Sequence, residues 1–461
     1  MAPVEPAALV LEGPSGAFEA THETIPLPAA ATGLDLVRPD DAISIDVKVQ
    51  TRGPRVVIHG RDRTSGDEAV VEVLPGDQFE TRSLDGPAPA MAGVPSPVVT
   101  DSPVAILPMR LNRDAIPDRV ILTHSGLTIE MSAPGATITV TNAADDGPGS
   151  LREAIAMTNA SPGPDWIVFD IPGPGPHTIE PLTPLPEITD PVTIDGTTQP
   201  GYEGSPVIEL SGAEAGENVS GLVVLGGSSV IRGLAINRFR VAQFECGGIA
   251  LASQGSIVEG NHFGTDPSGT ILRGNVTGIS VGASENLIGG STASSRNIIS
   301  GNEIGLLTYE GSDNLIEGNF IGTDSIGMNP IGNETGIMSF LGYGNHVGGT
   351  PNLISGNMWG VRGDYSEGLL IQGNHVGIDV AGSGPLRNEV GIELSCAKFS
   401  MIGGPADGMG NVISGNETGV WLQERCTESN TIRGNYFGTD ALGWARLAMT
   451  PLFFSTVQKT T

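Results

Sequence analysis

Lysine is almost absent from this 461-residue chain: Lys48, Lys398 and Lys459 are the whole set. With 23 basic residues against 52 acidic ones, the formal net charge is −29. A surface of that sign repels phosphate backbones, which argues against a nucleic-acid partner. Cysteine is equally scarce. Cys246, Cys396 and Cys426 show no C-x-x-C spacing, which excludes a zinc-ribbon or thioredoxin-type motif. No run of about 18 apolar residues occurs, so no membrane-spanning helix is predicted. The opening "MAPVEPAALV" lacks a basic start followed by an apolar run, so the chain reads as cytosolic or as a piece of a longer one. Only 16% of residues are charged and 5% aromatic.

Glycine is what the chain has in excess, at 66 residues, with 34 prolines. Glycine at that level, with regular apolar positions between, predicts an all-β chain with many turns. Collagen is excluded because glycine does not recur every third residue.

The glycines keep a period. Gly221, Gly248, Gly278, Gly305, Gly336, Gly360, Gly391 and Gly419 each open a "G-[IVL]" step, at spacings of 27, 30, 27, 31, 24, 31 and 28. An apolar residue follows about ten positions later, as at Ile231, Val258, Ile288, Ile316 and Ile402. Three residues before the opening glycines stand Asn218, Asn275, Asn302, Asn333, Asn357, Asn388 and Asn416, with Glu245 the exception. Such a repeat predicts a solenoid of short strands, each coil pairing with the next at about 4.8 Å. Helical repeats are excluded by glycine and asparagine inside every unit. The asparagines then form a structural ladder, bonding to neighbours above and below and tolerating a left-handed backbone. Four of them sit in Asn-x-Ser/Thr sequons, but the ladder needs them inside the turn. The fold class is therefore all-β, a right-handed parallel β-helix.

A second rhythm repeats every other coil: "GNHFGTD", "GNFIGTD", "GNHVGID" and "GNYFGTD". Their aspartates, Asp266, Asp324, Asp379 and Asp440, lie about 9.6 Å apart on a regular wall, too far to share one ion. Each is expected to close its own turn. After each "GN" come His262, Phe320, His375 and Tyr436. If the next residue points inward, these rings point outward. They are the candidate glycan-binding residues, with packing over the turn as the alternative. A lone histidine in such a turn is expected to be exposed.

Before the coils, Ser150 and Glu153 form a capping-box signature ahead of Leu151, Ala154 and Ile155. The helix they start is read as the cap of the solenoid's open end. Here "TVTN…GSLREAI…IVFDIPG…ITDPVTIDGTTQPG" resembles the N-terminal module of large bacterial right-handed β-helix proteins of the CSLREA type, with the pectin-lyase-like superfamily fold. The leading cysteine of that motif is replaced by Gly149. The "ISGN" and "GNxxGTD" elements also match, and the likeness covers roughly residues 137–440. It implies a secreted or surface-attached protein and names no activity.

The expected domains are a β-rich region at 1–135, the cap and irregular coils at 136–220, regular coils at 221–445 and a tail at 446–461. "LNRDAIPDRVIL" is similar to the calcium loop of integrin-type propeller repeats, with Arg110 and Ala115 at damaged positions. Asn112, Asp114 and Asp118 are thus a weak calcium candidate; no other metal or cofactor is expected.

No serial motif of a lyase or polygalacturonase appears in the coils, and Asp-Asp pairs occur only at Asp40–Asp41 and Asp145–Asp146. No catalytic residue is therefore assigned. Extracellular or cell-surface adhesion, or binding of an extended glycan, is the favoured function. A polysaccharide lyase, hydrolase or epimerase and a structural spacer are the alternatives. Cys396 and Cys426 fall at similar places in adjacent coils, so they are read as a disulfide or as two separate thiols. Near residue 447, where a closing asparagine is due, the chain reads "WARLAMTPLFF". That is either an apolar lid over the last coil or the mark of a fragment.

Overall fold

The structure is a computed structural model. It describes residues 135–161, 163–240, 247–424, 426–443 and 446–447, the strands before them, and the strand Phe453–Phe454. The chain divides into two compact units, Met1–Pro134 and Gly135–Thr461. The first unit contains a six-stranded sheet running from Ala8–Val10 to Phe79–Arg82 and a three-stranded antiparallel sheet from Pro103–Met109 to Gly126–Glu130. The calcium candidates Asn112 and Asp114, and the side chain of Asp118, lie outside the described residues.

The second unit is an all-β, right-handed parallel β-helix with three sheets. Sheet I has eleven strands, from Thr137–Val140 to Thr431–Arg433; sheet II has ten, from His177–Ile179 to Tyr436–Phe437; sheet III has nine, from Leu222–Val224 to Phe453–Phe454. Each regular coil visits III, I and II in turn, and each strand pairs in parallel with its counterpart one coil on. The register stacks apolar residues in files. Ile249, Ile279, Leu306, Ile337, Val361, Ile392 and Val420 follow one another in sheet III. Ile231, Val258, Ile288, Ile316, Val347, Ile371 and Ile402 do so in sheet I. These files are sealed from solvent and belong to one continuous core. Each such side chain contributes about 1.5–3 kcal/mol by leaving water.

The opening glycines owe their place to the neighbouring coil. A Cβ on Gly336 would stand 2.6 Å from the carbonyl oxygen of Gly360, and one on Gly360 2.4 Å from that of Gly391. These glycines do not have positive φ. Close backbone approach is what any side chain there would block.

The asparagines make three ladders. In the first, Asn275, Asn302, Asn333, Asn357, Asn388 and Asn416 each accept, through Oδ1, hydrogen bonds from the residue below; between asparagines both backbone N–H and Nδ2 donate. Asn218 stands apart: it is exposed, has φ +62°, and its N–H reaches Arg240 O. The expected left-handed backbone is also corrected. The buried ladder asparagines have ordinary φ, and the preceding Gly301, Gly356 and Gly415 carry φ of +78°, +82° and +73° instead. A second ladder, Asn261, Asn297, Asn319, Asn352, Asn374, Asn411 and Asn435, runs at the entry to sheet II. A third, Asn286, Asn314 and Asn345, runs at the entry to sheet I and stops where Leu369 fills the slot.

The helix Leu151–Ala160 buries Leu151, Ala154 and Ile155 in the same core. Ser150 Oγ accepts from Glu153 N at 3.2 Å, and Glu153 Oε2 accepts from Gly149 N at 2.6 Å. Gly149 has φ +79°, and a Cβ there would overlap Thr141 Oγ1 at 2.2 Å, so this turn has no room for a cysteine. At the other end, Phe453–Phe454 pairs with Trp421 and Leu422 as the last strand of sheet III. Cys396 and Cys426 are joined as a disulfide with Cα atoms 4.4 Å apart.

Candidate functional site

The ring file on sheet II is not an open platform. Each "GTD" or "GID" segment leaves the wall and folds back on itself, with antiparallel bridges Thr265–Leu272, Thr323–Pro330, Ile378–Pro385 and Thr439–Arg446. The aspartates hold these excursions. Asp266 accepts from Thr270 N, Ile271 N and Ser268 Oγ; Asp324 from Met328 N and Asn329 N; Asp379 from Ser383 N. Successive excursions then bond to one another. Ser325 N donates to Gly269 O, Val380 N to Gly327 O and Ala441 N to Gly382 O, at 2.8–3.0 Å. The result is a continuous layer over the outer face of sheet II.

Under that layer lie the rings expected to face solvent. His262 and Phe320 are each only 5% exposed, and His375 is half-buried. A Cβ on Gly269 would stand 3.0 Å from the His262 ring, and one on Gly327 2.9 Å from the Phe320 ring. Phe320 packs with Ile298 and Leu353 as a second small core, and the Arg296 guanidinium lies 4.0 Å above its ring. Burial pushes the His262 imidazole down to about 4, and lowers His346 and His375 as well. Of the four candidates Tyr436 alone is exposed. The outward pointing was right, but a fold-back from the same coils covers the file.

Sheet III has the open decorated face. Its strands Ile304–Tyr309, Thr335–Phe340, Trp359–Asp364, Val390–Ser395 and Thr418–Gln423 pair side by side. The register makes files across the coils. One runs Tyr309, Phe340, Asp364, Ser395 and Gln423; the next runs Leu307, Met338, Arg362, Glu393 and Trp421. Trp359 lies on a third file, beside Thr335 and Val390. Two carboxylates thus meet around one cation. Arg362 Nε is 2.9 Å from Asp364 Oδ2 and 3.9 Å from Glu393 Oε1. Gln423 Nε2 donates to Glu393 Oε1. Asp364 Oδ1 and the Trp421 Nε1 are buried atoms with no hydrogen-bond partner in the protein.

This pair is electrostatically unlike the other buried acids. Burial raises the Asp364 carboxyl above its ordinary range, against the pull of Arg362. Burial also raises Glu393, again opposed by Arg362 and assisted by the charge of Asp364. Glu209, on sheet II, shows the contrast. It is buried too, but Asn237, Thr178 and Arg273 outweigh its desolvation and hold it below the usual range. A nearby cavity of about 370 Å³ is lined by Arg238, Arg240 and Glu217, with Arg238 already bonded to Glu209.

Rings flank the pair. Tyr309 and Phe340 stack with centroids 5.8 Å apart, and Tyr365, 60% exposed, meets Phe340 edge-on at 6.1 Å. The Arg362 guanidinium lies 5.6 Å from the Trp359 ring. From the Tyr309 coil to the Trp421 coil is four rises, about 19 Å along the axis. No motif spacing announces this site. Arg362 and Asp364 lie on one strand, but Glu393 arrives from the next coil through the register alone.

No family model matches the chain. No characterised protein matches it in sequence. Similar solved structures include the enzymatically active domain of tailspike protein 2 from bacteriophage CBA120, at 10% identity and TM-score 0.38, covering 73% of this chain and 48% of that one. Another is alginate lyase from Paenibacillus sp. str. FPU-7, at 15% identity and TM-score 0.27, covering 66% of this chain and 97% of that one. The chain thus spans about half the tailspike domain's length. Among the described residues no helix is long and apolar enough to cross a membrane.

Proposed function

We propose that the chain is an extracellular or cell-surface β-helix, of bacterial origin with a CSLREA-type cap, that binds an extended polysaccharide along the outer face of sheet III. The observation that carries this reading is the file of rings beside the polar cluster: Tyr309, Phe340 and Tyr365 on one side, Trp421 on the other, Trp359 alongside. Flat ring faces offer large apolar area at small entropic cost, and the adjacent, partly exposed Arg362 and Gln423 supply hydroxyl-binding partners. The disulfide between Cys396 and Cys426 fits an oxidising compartment.

The test is a glycan array followed by titration of tryptophan fluorescence, to which Trp359 and Trp421 of this face contribute two of the chain's four tryptophans. Tyr365→Ala, a change at an exposed ring, is expected to weaken binding about tenfold, which is about 1.4 kcal/mol. Tyr436→Ala, on the other sheet, is expected to leave it unchanged. Equal losses from both, or binding indifferent to Tyr365, would move the glycan elsewhere on the molecule.

A further inference from the structure

We infer that the corner where each coil turns from sheet III to sheet I binds an amino-sugar polysaccharide, whose sugar faces rest on Tyr343, Tyr365 and Phe399 and whose protonated amines lie among exposed carboxylates. The inference rests on the glycan-binding reading; it names the ligand class and the edge of sheet III along which the polymer runs. Tyr365 directly follows Asp364, the last residue of its strand, so it joins that face to the corner. Tyr343, Tyr365 and Phe399 come from three successive coils, because the bridges Tyr343–Glu367 and Glu367–Lys398 stack those turns in register. The rings are 58%, 60% and 59% exposed, so each is open to a polymer. One ring per coil gives an axial step of about 4.8 Å, close to the rise of one residue in an extended sugar chain.

The backbone gives a second, independent reason to assign these rings a ligand. Tyr365 and Phe399 both have φ +52°. A bulky side chain is disfavoured in that left-handed region, which glycine enters freely. The bridge register sets Gly344 and Gly368 at the place of Phe399 in the two preceding coils, with φ +63° and +68°. The same turn is thus built twice with glycine and once with an exposed phenylalanine. Folding does not require that ring, since it is not buried and glycine suits its backbone better. Strain of this kind is retained where something other than the fold uses the group.

Charge selects the ligand among glycans. Glu310 and Asp313 stand exposed one coil before Tyr343, Glu367 on the coil of Tyr365, and Glu428 one coil beyond Phe399. Among the described residues of this corner Lys398 is the one cation, and Glu428 holds it at 2.8 Å. On the adjoining face Arg362 already meets Asp364 and Glu393, and the whole chain carries −29. A uronate or sulfated polymer would be repelled here, and a neutral one would gain nothing from the carboxylates. An ammonium group on each sugar is attracted both by the carboxylates and by the ring faces.

The experiment is titration calorimetry of the full chain with oligomers of glucosamine, N-acetylglucosamine and galacturonate of equal length, and with oligolysine, at about pH 6 with the amines protonated. The glucosamine oligomer is expected to bind at least about tenfold more tightly than its acetylated counterpart, and to weaken as salt is raised. Tyr343→Ala and Phe399→Gly are each expected to weaken it about tenfold. Glu367→Gln is expected to weaken it about threefold and to leave the acetylated oligomer unchanged. Phe399→Gly is expected to melt no lower than the parent, because glycine suits that backbone; a lower melting temperature would mean that the ring serves the fold, and would overturn its assignment. Equal or tighter binding of the acetylated or uronate oligomer would overturn the ligand class and leave the glycan-binding face standing. Binding lost in Tyr365→Ala but untouched by Tyr343→Ala and Phe399→Gly would confine the glycan to sheet III and overturn the corner. Oligolysine bound as tightly as glucosamine would make the ligand a basic peptide instead. Failure of every oligosaccharide, including those of the array, would overturn both readings.

Discussion

Asn333 lies in the middle of the first ladder and uses its whole bonding capacity. Its Oδ1 accepts from Asn302 N at 2.9 Å and Asn302 Nδ2 at 3.0 Å, and its Nδ2 donates to Ile299 O and Asn357 Oδ1, both at 2.9 Å. It is 3% exposed, so water replaces none of these bonds. Asn333→Ala strands the Asn302 N–H outright. Ile299 O keeps a partner in Gly322 N, and Asn357 Oδ1 keeps Asn333 N. One full orphan at about 1–3 kcal/mol, plus weakened bonds of about 1 kcal/mol each, gives a loss of about 2–4 kcal/mol. Asn333→Asp tests the direction of the ladder. A carboxylate keeps both bonds from Asn302 but turns acceptors toward Ile299 O and Asn357 Oδ1, with its charge buried. At pH 8 Asn333→Asp is therefore expected to be less stable than Asn333→Ala. On acidification it takes up a proton, regains a donor and becomes the more stable of the two. Denaturant melts across pH 4–8 give the comparison, and hydrogen exchange at the Asn302 amide gives the local reading if coils open separately. The ladder account fails if Asn333→Ala costs under about 0.5 kcal/mol, within the range of an ordinary surface change, or if the two variants stay in the same order at every pH.

Other perturbations follow from the same geometry. His262 is held near pKa 4 by burial, against 6.5 when free. Its stabilising effect is complete above pH 6.5 and is lost as pH falls towards 4, because the unfolded chain protonates first. At pH 5 the loss is about 2 kcal/mol, so His262→Phe should flatten the acid limb of the stability curve; parallel curves would contradict this. Gly336→Ala, whose Cβ would meet Gly360 O at 2.6 Å, is expected to cost at least about 1–3 kcal/mol by overpacking. Gly282→Ala, with no atom nearer than 3.8 Å and no positive φ, should be tolerated; equal melting temperatures would refute the contact argument. Reducing Cys396–Cys426, which closes a segment of 30 residues, should destabilise the final coils by about 3–4 kcal/mol. Proteolysis between residues 397 and 440 should then accelerate, whereas an unchanged digest would mean that the bridge constrains nothing there.

The sequence by itself determined the solenoid. Opening glycines spaced 24–31 residues apart, an apolar residue some ten positions on, and asparagine three positions before can recur only if each coil presents the same wall to the next. Translation along an axis is written directly into a repeat, so period, fold class, the body of one asparagine ladder and the capping helix could all be read. The second ladder had a visible signal in the "GN" of Asn261 and Asn319 and the opening asparagine of Asn297 and Asn352, but its two halves alternate between different motifs. Only tertiary structure decided which faces meet solvent. His262 and Phe320 point outward from the wall, as alternation requires, yet the excursions of their own coils fold over them. A local period cannot register a layer formed by bonds such as Ser325 to Gly269, 56 residues apart. The carboxylate pair was hidden for the complementary reason. Asp364 and Glu393 are ordinary residues in ordinary strands, and only the parallel register that sets Glu393 opposite Arg362 brings them to one cation.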